Sequence, residues 1–249
     1  HRYYLPYAVG LLKAYVQVKS PRPERYHFLP FRVIAAPLEQ ELETLITCDI
    51  IAFSSYIWNI ERNLLLAEKV KAIKPEVLTL FGGPQVPKES ESFLRKYTQV
   101  DLCIVGEGEE VFLSILEDWP LKKWCNIPGL RWLDSDKQYC LTELAPRRKK
   151  LIDLPSPYLT HIFEECFQSY PDISWSVLWE TNRGCPFSCT FCDWGSATAS
   201  KVYRFDEERL RAELDWFAEK KINFVFCCDA NFGILPRDIN LASYAAQVR

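Results

Sequence analysis

Arg183-Gly184-Cys185-Pro186-Phe187-Ser188-Cys189-Thr190-Phe191-Cys192-Asp193-Trp194 is the stretch on which the fold of this chain turns. Its three cysteines are spaced three residues apart and then two, close enough to wrap a single compact metal centre. The count is as informative as the spacing. A structural zinc site closes with four ligands, and an electron-transfer iron–sulfur cluster takes four cysteines. Three cysteines on a four-iron cubane leave one iron without a protein ligand, where a small molecule can coordinate. A zinc knot is the alternative that the residues alone leave open. Working outward, Val177-Leu178-Trp179-Glu180-Thr181 reads as a strand that delivers the cysteines into a loop. Asp206 then caps a helix with Glu207 and Glu208 in its first turn and Lys220 and Lys221 at its end, matching the helix dipole. Leu210, Leu214 and Phe217 give that helix a buried stripe. Asn223 to Cys228 is a second strand.

The C-x3-C-x2-C run, with aromatic Phe191 before the last cysteine, resembles the signature of the radical S-adenosylmethionine (SAM) enzymes. That resemblance implies a four-iron four-sulfur cluster on Cys185, Cys189 and Cys192, with SAM chelating the open iron. It also implies that the strand, loop and helix are the first βα unit of a partial TIM barrel. Asp229 and Asn231, in Cys227-Cys228-Asp229-Ala230-Asn231-Phe232-Gly233, fall at the carboxyl end of the second strand. The family carries a motif there that contacts the SAM amino group, often Gly-Gly-Glu. The Asp-Ala-Asn version departs from that wording but keeps a carboxylate able to pair an ammonium; the competing role for Asp229 is to cap its own loop. Cys227 and Cys228 are read as end-of-strand packing rather than a fourth ligand.

The first part of the chain alternates helix and strand. Leu5 to Val18 has helical spacing, and Phe31 to Ala36 reads as a strand. A short helix follows near Glu39 to Ile46. Asp49 to Ser54, Val77 to Phe81 and Leu102 to Val105 are apolar runs of the kind found where both faces of a parallel sheet are buried. Asn59 is positioned to cap a helix carrying Leu65, Ala67, Val70 and Ile73. Further helices are expected around Lys88 to Tyr97 and over Val111 to Leu116. This is the pattern of a doubly wound, flavodoxin- or Rossmann-like α/β domain, with a first strand expected to be missing upstream of Leu5. The boundaries expected are 1–119 for this domain, 120–172 for a Pro-punctuated linker holding a hairpin (Leu130–Leu133 and Gln138–Leu141), and 173–249 for the beginning of the barrel.

Ligands of open α/β sheets bind beyond the carboxyl ends of the strands. Those ends carry Ser54-Ser55-Tyr56, Gly82-Gly83-Pro84-Gln85 and Gly106-Glu107-Gly108, and none matches a dinucleotide fingerprint. A strand ending in Gly-Gly-Pro, then Val-Gly-Glu-Gly-Glu-Glu leading into a helix, resembles the cobalamin-binding domain fused ahead of many radical SAM domains. The resemblance makes Ser54, Ser55, Tyr56, Trp58, Gly82, Gly83, Pro84, Gln85, Gly106 and Glu107 the candidate cobalamin contacts. The familiar D-x-H-x-x-G motif is missing: the chain has three histidines, and none is followed by Gly three residues on. Cobalt is therefore expected to have no histidine beneath it. Trp58 is a candidate for that face, with packing of Tyr56 and Trp58 between domains as the equal alternative.

The bulk properties exclude other classes. With 48% hydrophobic and 25% charged residues and a net charge of −3, the chain is globular and is not an expected partner for nucleic acid. The run Arg147-Arg148-Lys149-Lys150 reads as a solvated loop or edge strand. No apolar run approaches the roughly 18 residues of a membrane span, and no signal peptide is present. The 10 cysteines are read as those of a reducing cytoplasm, the seven outside the triad behaving as small hydrophobes. Met is absent and Arg249 ends a helical pattern without a cap, so a fragment at both ends is expected.

Together the resemblances imply a cobalamin-dependent radical SAM enzyme, a methyltransferase of unactivated carbon. In that family a 5′-deoxyadenosyl radical abstracts a substrate hydrogen, and the substrate radical takes a methyl group from methylcobalamin. A small-molecule or peptide substrate, with a peptide natural product favoured, and an external electron donor such as flavodoxin or ferredoxin are implied. The alternatives are a cobalamin-binding radical SAM cyclase and a non-catalytic corrinoid-binding iron–sulfur protein.

Overall fold

The computed structural model describes residues 2–192 and 201–248. Asp193, Trp194 and Arg249, quoted above, lie outside the described residues, as does His1. The chain divides into two compact units, one formed by His1–Val33 with Arg148–Arg249 and the other by Ile34–Arg147. The second is thus an insertion within the first. These limits differ from the expected boundaries at 119/120 and 172/173, and the reasons lie in where the N-terminal segment and the hairpin pack.

Strand β1 (Tyr3–Tyr4) and helix α1 (Tyr7–Lys19) open the chain. Among the described residues no strand of the inserted unit's sheet lies upstream of Leu5, in line with the missing first strand: β1 pairs parallel with Trp175 and Ser176, far along the chain. Helix α1 presses Gly10 against Phe163: a Cβ on Gly10 would lie 2.3 Å from the Phe163 ring. Phe31 also packs on Phe163, at 5.5 Å between ring centroids. Residues 31–36 form no strand. Of this run only Phe31 is drawn into that packing, and Ile34 and Ala35 are exposed, which corrects the expectation of a strand.

The inserted unit runs α2 (Leu38–Leu45), β2 (Ile50–Ser54), α3 (Ile60–Ile73), β3 (Leu78–Gly82), α4 (Glu91–Lys96), β4 (Leu102–Ile104), α5 (Glu109–Asp118), β5 (Leu130–Leu133) and β6 (Tyr139–Leu141). Its sheet has the order β2-β3-β4-β5-β6. The first three strands are parallel, and the β5–β6 hairpin is added antiparallel to β4. The hairpin expected in the linker is therefore part of this sheet. Ile51, Phe53, Phe81 and Cys103 from the strands meet Leu66, Ala67, Val70 and Leu94 from the helices in one core. Each fully buried Leu, Val or Phe contributes about 1.5–3 kcal/mol.

The remaining elements return to the first unit: α6 (Glu164–Ser169), β7 (Trp175–Trp179), β8 (Asn182–Arg183), β9 (Tyr203–Arg204), α7 (Glu207–Glu219), β10 (Phe224–Cys227) and α8 (Arg237–Gln247). Strands β1, β7 and β10 form a parallel three-stranded sheet in that order. Asp206 caps α7 as expected, accepting from the Glu208 N–H at 3.1 Å. Lys220 and Lys221 fall just past the helix, at and after its C-cap. The core here is aromatic: Tyr158 is wholly buried against Phe163, Trp216 and Phe217. Glu213 is 1% exposed within it. Burying a carboxylate is costly unless it is paired and bonded, and Glu213 accepts from Trp179 Nε1 and Arg209 Nε, both at 2.9 Å. No helix among the described residues is long and apolar enough to cross a membrane.

Candidate cluster and cofactor sites

Parallel pairing of Cys227 with Trp179 brings the carboxyl ends of β10 and β7 side by side. The chain leaving β7 enters β8, which is tied antiparallel to β9. The cysteine loop therefore starts from a fixed strand end. Asp229, just past β10, fastens it. Its carboxylate accepts from Thr181 N at 2.7 Å, Thr181 Oγ1 at 2.5 Å, Asn182 N at 3.2 Å and Asn182 Nδ2 at 2.8 Å. Burial pushes the Asp229 carboxyl above its ordinary value, while the Thr181 and Asn182 donors pull it back. With four donors already on it, the carboxylate can take an ammonium only by sharing or replacing one of them.

Asn231 reaches the cluster motif directly: its Nδ2 lies 3.1 Å from Cys185 Sγ. Cys185 is 8% exposed, whereas Cys189 and Cys192 face solvent and Phe191 is 91% exposed. Among the described residues no three His, Cys, Asp or Glu side chains are gathered closely enough to hold a metal ion. The structure thus anchors one thiol and leaves two on the outer loop. The donor set still fits a cluster, because all three cysteines are free thiols on one loop, and ligands of this kind gather as the metal binds.

Glu180 adds a partner that the sequence did not announce. Its oxygens accept from Arg183 Nε at 2.9 Å and the Tyr7 hydroxyl at 3.0 Å, so α1 braces the exit of β7. Burial, reinforced by the Glu180 charge, raises the Tyr7 phenol well above its ordinary value. Burial also pushes the Cys227 thiol up to about 12 and Cys228 higher. Both stay protonated at neutral pH, which suits packing better than ligation.

In the inserted unit the candidate cobalamin residues fall on the loops after β2, β3 and β4. Several serve each other. Ser55 is fully buried; its N–H donates to Gly82 O at 2.7 Å and its carbonyl accepts from Gln85 N at 3.1 Å. Gly83 has φ +102°, and a Cβ there would lie 2.7 Å from Ser55 O. Only glycine satisfies both conditions. Asn59 stands at the N-cap of α3 without capping it. Instead it clasps the β2 loop, accepting from Tyr56 N at 2.7 Å and donating to Ser54 O at 2.9 Å.

Other residues are left available. Tyr56 and Trp58 stack at 4.7 Å with 8° between their planes, and Trp58 is 76% exposed. Gly83, Pro84 and Gln85 are exposed, and the space beside Gly106 is open. Glu107 lies half-buried, 4.0 Å from Arg147. An aromatic platform beside accessible backbone fits a large flat ring. None of residues 1, 27 and 161, the histidines, lies in this unit.

Comparison with known proteins agrees with this geometry. Residues 22–116 match the B12 binding domain model. The chain is 37% identical to the cobalamin-dependent radical SAM methyltransferase TokK of Streptomyces tokunonensis over 99% of its own length. It is 39% identical, also over 99%, to the 2-(S-pantetheinyl)-carbapenam-3-carboxylate methyltransferase of Streptantibioticus cattleyicolor. It spans 37% of the length of each of these two relatives. In fold it is similar to the cobalamin-dependent radical SAM enzyme OxsB, solved with aqua-cobalamin and SAM, at a TM-score of 0.73 and 19% identity, over 99% of this chain and 34% of that one. The radical SAM methyltransferase TsrM of Kitasatospora setae follows at 0.67 and 12% identity, over 96% of this chain and 47% of that one. With a cysteine loop at the end of β7 and a B12 binding domain before it, the chain is similar over nearly its whole length to part of the cobalamin-dependent radical SAM methyltransferases.

Proposed function

We propose that the protein is a cobalamin-dependent radical SAM methyltransferase that methylates an unactivated carbon. The observation that carries this is the meeting of Asn231 with Cys185 at the joined ends of β10 and β7, on a loop that also holds Cys189 and Cys192. When bound, the cluster with SAM supplies hydrogen abstraction and the cobalamin supplies the methyl group. The chain's own part is to hold and orient. Cys185, Cys189 and Cys192 ligate the cluster. Asn231 donates to a ligand sulfur, and Asp229 fixes Thr181 and Asn182 at the mouth of the loop. Phe191, Asp229 and Asn231 border the position for SAM. In the inserted unit, Tyr56 and Trp58 offer an apolar face to the corrin. Gly82, Gly83, Pro84, Gln85 and Gly106 give it backbone contact, with Ser54, Ser55 and Glu107 behind them.

The name of one relative, the 2-(S-pantetheinyl)-carbapenam-3-carboxylate methyltransferase, supports a small-molecule acceptor bearing a carboxylate; a peptide acceptor is the alternative. An external one-electron donor such as flavodoxin or ferredoxin is needed, and a reducing cytoplasm suits its free thiols. Two anaerobic magnesium-protoporphyrin IX monomethyl ester cyclases, from Rubrivivax gelatinosus and Cereibacter sphaeroides, match at 25% and 26% identity. They keep cyclisation as the second reading.

The test is anaerobic reconstitution with iron, sulfide and hydroxocobalamin, then incubation with SAM and a reductant. About four irons and one cobalt per chain, with 5′-deoxyadenosine formed, support the proposal. Iron without cobalt removes the cobalamin route, and zinc in place of iron overturns the assignment.

A further inference from the structure

A cavity of about 370 Å³ in the first unit belongs to neither cofactor site. It lies between the segment at Lys149 to Ile152, the Arg204–Glu207 entry to α7, and Arg237 at the start of α8. Four of its lining side chains are cations: Lys149, Lys150, Arg204 and Arg237. The two acids beside them are turned to other work. Asp206 caps α7, and Glu207 accepts from Arg211 Nε and Nη2 at 3.1 and 2.9 Å.

Arg237 forms the fixed part of the wall. Its side chain is 10% exposed. Its guanidinium donates to the carbonyls of Phe205 and, at 2.7 Å, Thr181. Its buried Nε has no hydrogen-bond partner and lies 3.7 Å from Asp238 Oδ1. Burial lowers this guanidinium from its ordinary value; Asp238 offsets part of that and the charge of Arg204 adds to it. Lys149, Lys150 and Arg204 are exposed and have no hydrogen-bond or ion-pair partner among the described residues. The concave site thus sets four cations against two acids, with Lys149, Lys150 and Arg204 unpaired among the described residues, while the end of the helix that lines it is already capped by Asp206. Such charge without an anion is self-repulsive.

We propose that this cavity binds a phosphate group, held by Lys149, Lys150 and Arg204 against the wall formed by Arg237. The planar fork of Arg204 and the point charges of the two lysines suit a compact dianion with several acceptor oxygens. Inorganic phosphate and the phosphate end of an organic phosphomonoester share this chemistry. The site does not depend on the methyltransferase assignment.

The test is calorimetric titration of the purified protein with inorganic phosphate and, separately, with glycerol 3-phosphate, at low and high salt. The variants are Arg204→Gln and the double variant Lys149→Gln/Lys150→Gln. All three side chains are exposed and unpaired in the described structure, so their thermal midpoints should match the wild type. Saturable binding that each variant weakens by about tenfold, and that salt weakens, supports the proposal. Binding of both probes, or of either alone, tells whether free phosphate or an organic phosphate is the source. No saturation at millimolar concentration, or equal binding by wild type and variants, overturns it. So does capture of acidic flavodoxin that Arg204→Gln abolishes while neither phosphate probe binds. Iron and cobalt counts on the same samples report on the cofactor assignment separately.

Discussion

Replacing Asp229 by alanine should loosen the cysteine loop before it affects any chemistry. The carboxylate is the acceptor for two backbone N–H groups, those of Thr181 and Asn182, and both residues are buried. Each buried donor left unpaired costs about 1–3 kcal/mol, so two cost about 2–6 kcal/mol. Part of this is returned, because burial already disfavours the ionised carboxylate. The net loss should be about 3 kcal/mol. Asp229→Asn keeps one acceptor oxygen and should lose less. The measurement is urea unfolding followed by tryptophan fluorescence, since Trp179 reports from the neighbouring strand, together with iron bound per chain after reconstitution. The expected result is an unfolding midpoint that falls in the order wild type, Asn, Ala, with iron loading falling in parallel. If Asp229→Ala keeps wild-type stability and full iron yet loses SAM binding, the carboxylate serves the ligand and not the loop, and the structural account is wrong.

Three further outcomes are expected. Gly83→Ala places a Cβ 2.7 Å from a backbone oxygen at φ +102°; the left-handed conformation alone costs about 1–2 kcal/mol, so unfolding should come earlier and cobalamin retention after desalting should drop. Asn231→Leu removes the N–H donor to Cys185, and since hydrogen bonds to cluster sulfurs help set reduction potentials, a redox titration should show a more negative midpoint with iron content unchanged. The thiols of Cys103, Cys166 and Cys227 are each pushed by burial up to about 12. Between pH 9 and 12 the unfolded chain releases these protons and the folded chain keeps them, so stability should fall across that window. A flat urea midpoint from pH 9 to 11 would contradict their burial.

What the sequence showed plainly was local. The apolar runs at 49–54, 77–81 and 102–105 read as parallel strands buried on both faces; the structure covers both faces of 78–81 and 102–104, whereas in 50–54 only Ile51 and Phe53 are buried and Ala52 is exposed. The cysteine triad read as a metal loop because ligand spacing is a property of a few adjacent residues. What it hid was pairing across the chain. Helix α1 was legible as a helix, yet its partners are Phe163 and Glu180, and no periodicity near residue 10 points to them. Phe31 to Ala36 has strand-like composition, but Phe31 is spent on Phe163. Asn59 had the right identity and position for a cap, and its side chain was taken by the loop before it. Asp229 stood out as a strand-end carboxylate, while its donors lie 48 and 47 residues earlier. A Thr-Asn pair before the cysteines was the one local sign of them.

The return of the chain to its starting unit has a consequence for synthesis. Tyr7 meets Glu180 across 173 residues, and at about 5–20 residues per second the ribosome takes roughly 10–35 s to cover that distance. During that interval the inserted unit can fold as soon as it emerges, since its contacts are internal. Helix α1 has no strand β7 and no Phe163 to cover its apolar side. The N-terminal segment must wait, exposed, for the second half of its own unit, and it is there that chaperone capture and misassembly compete with folding.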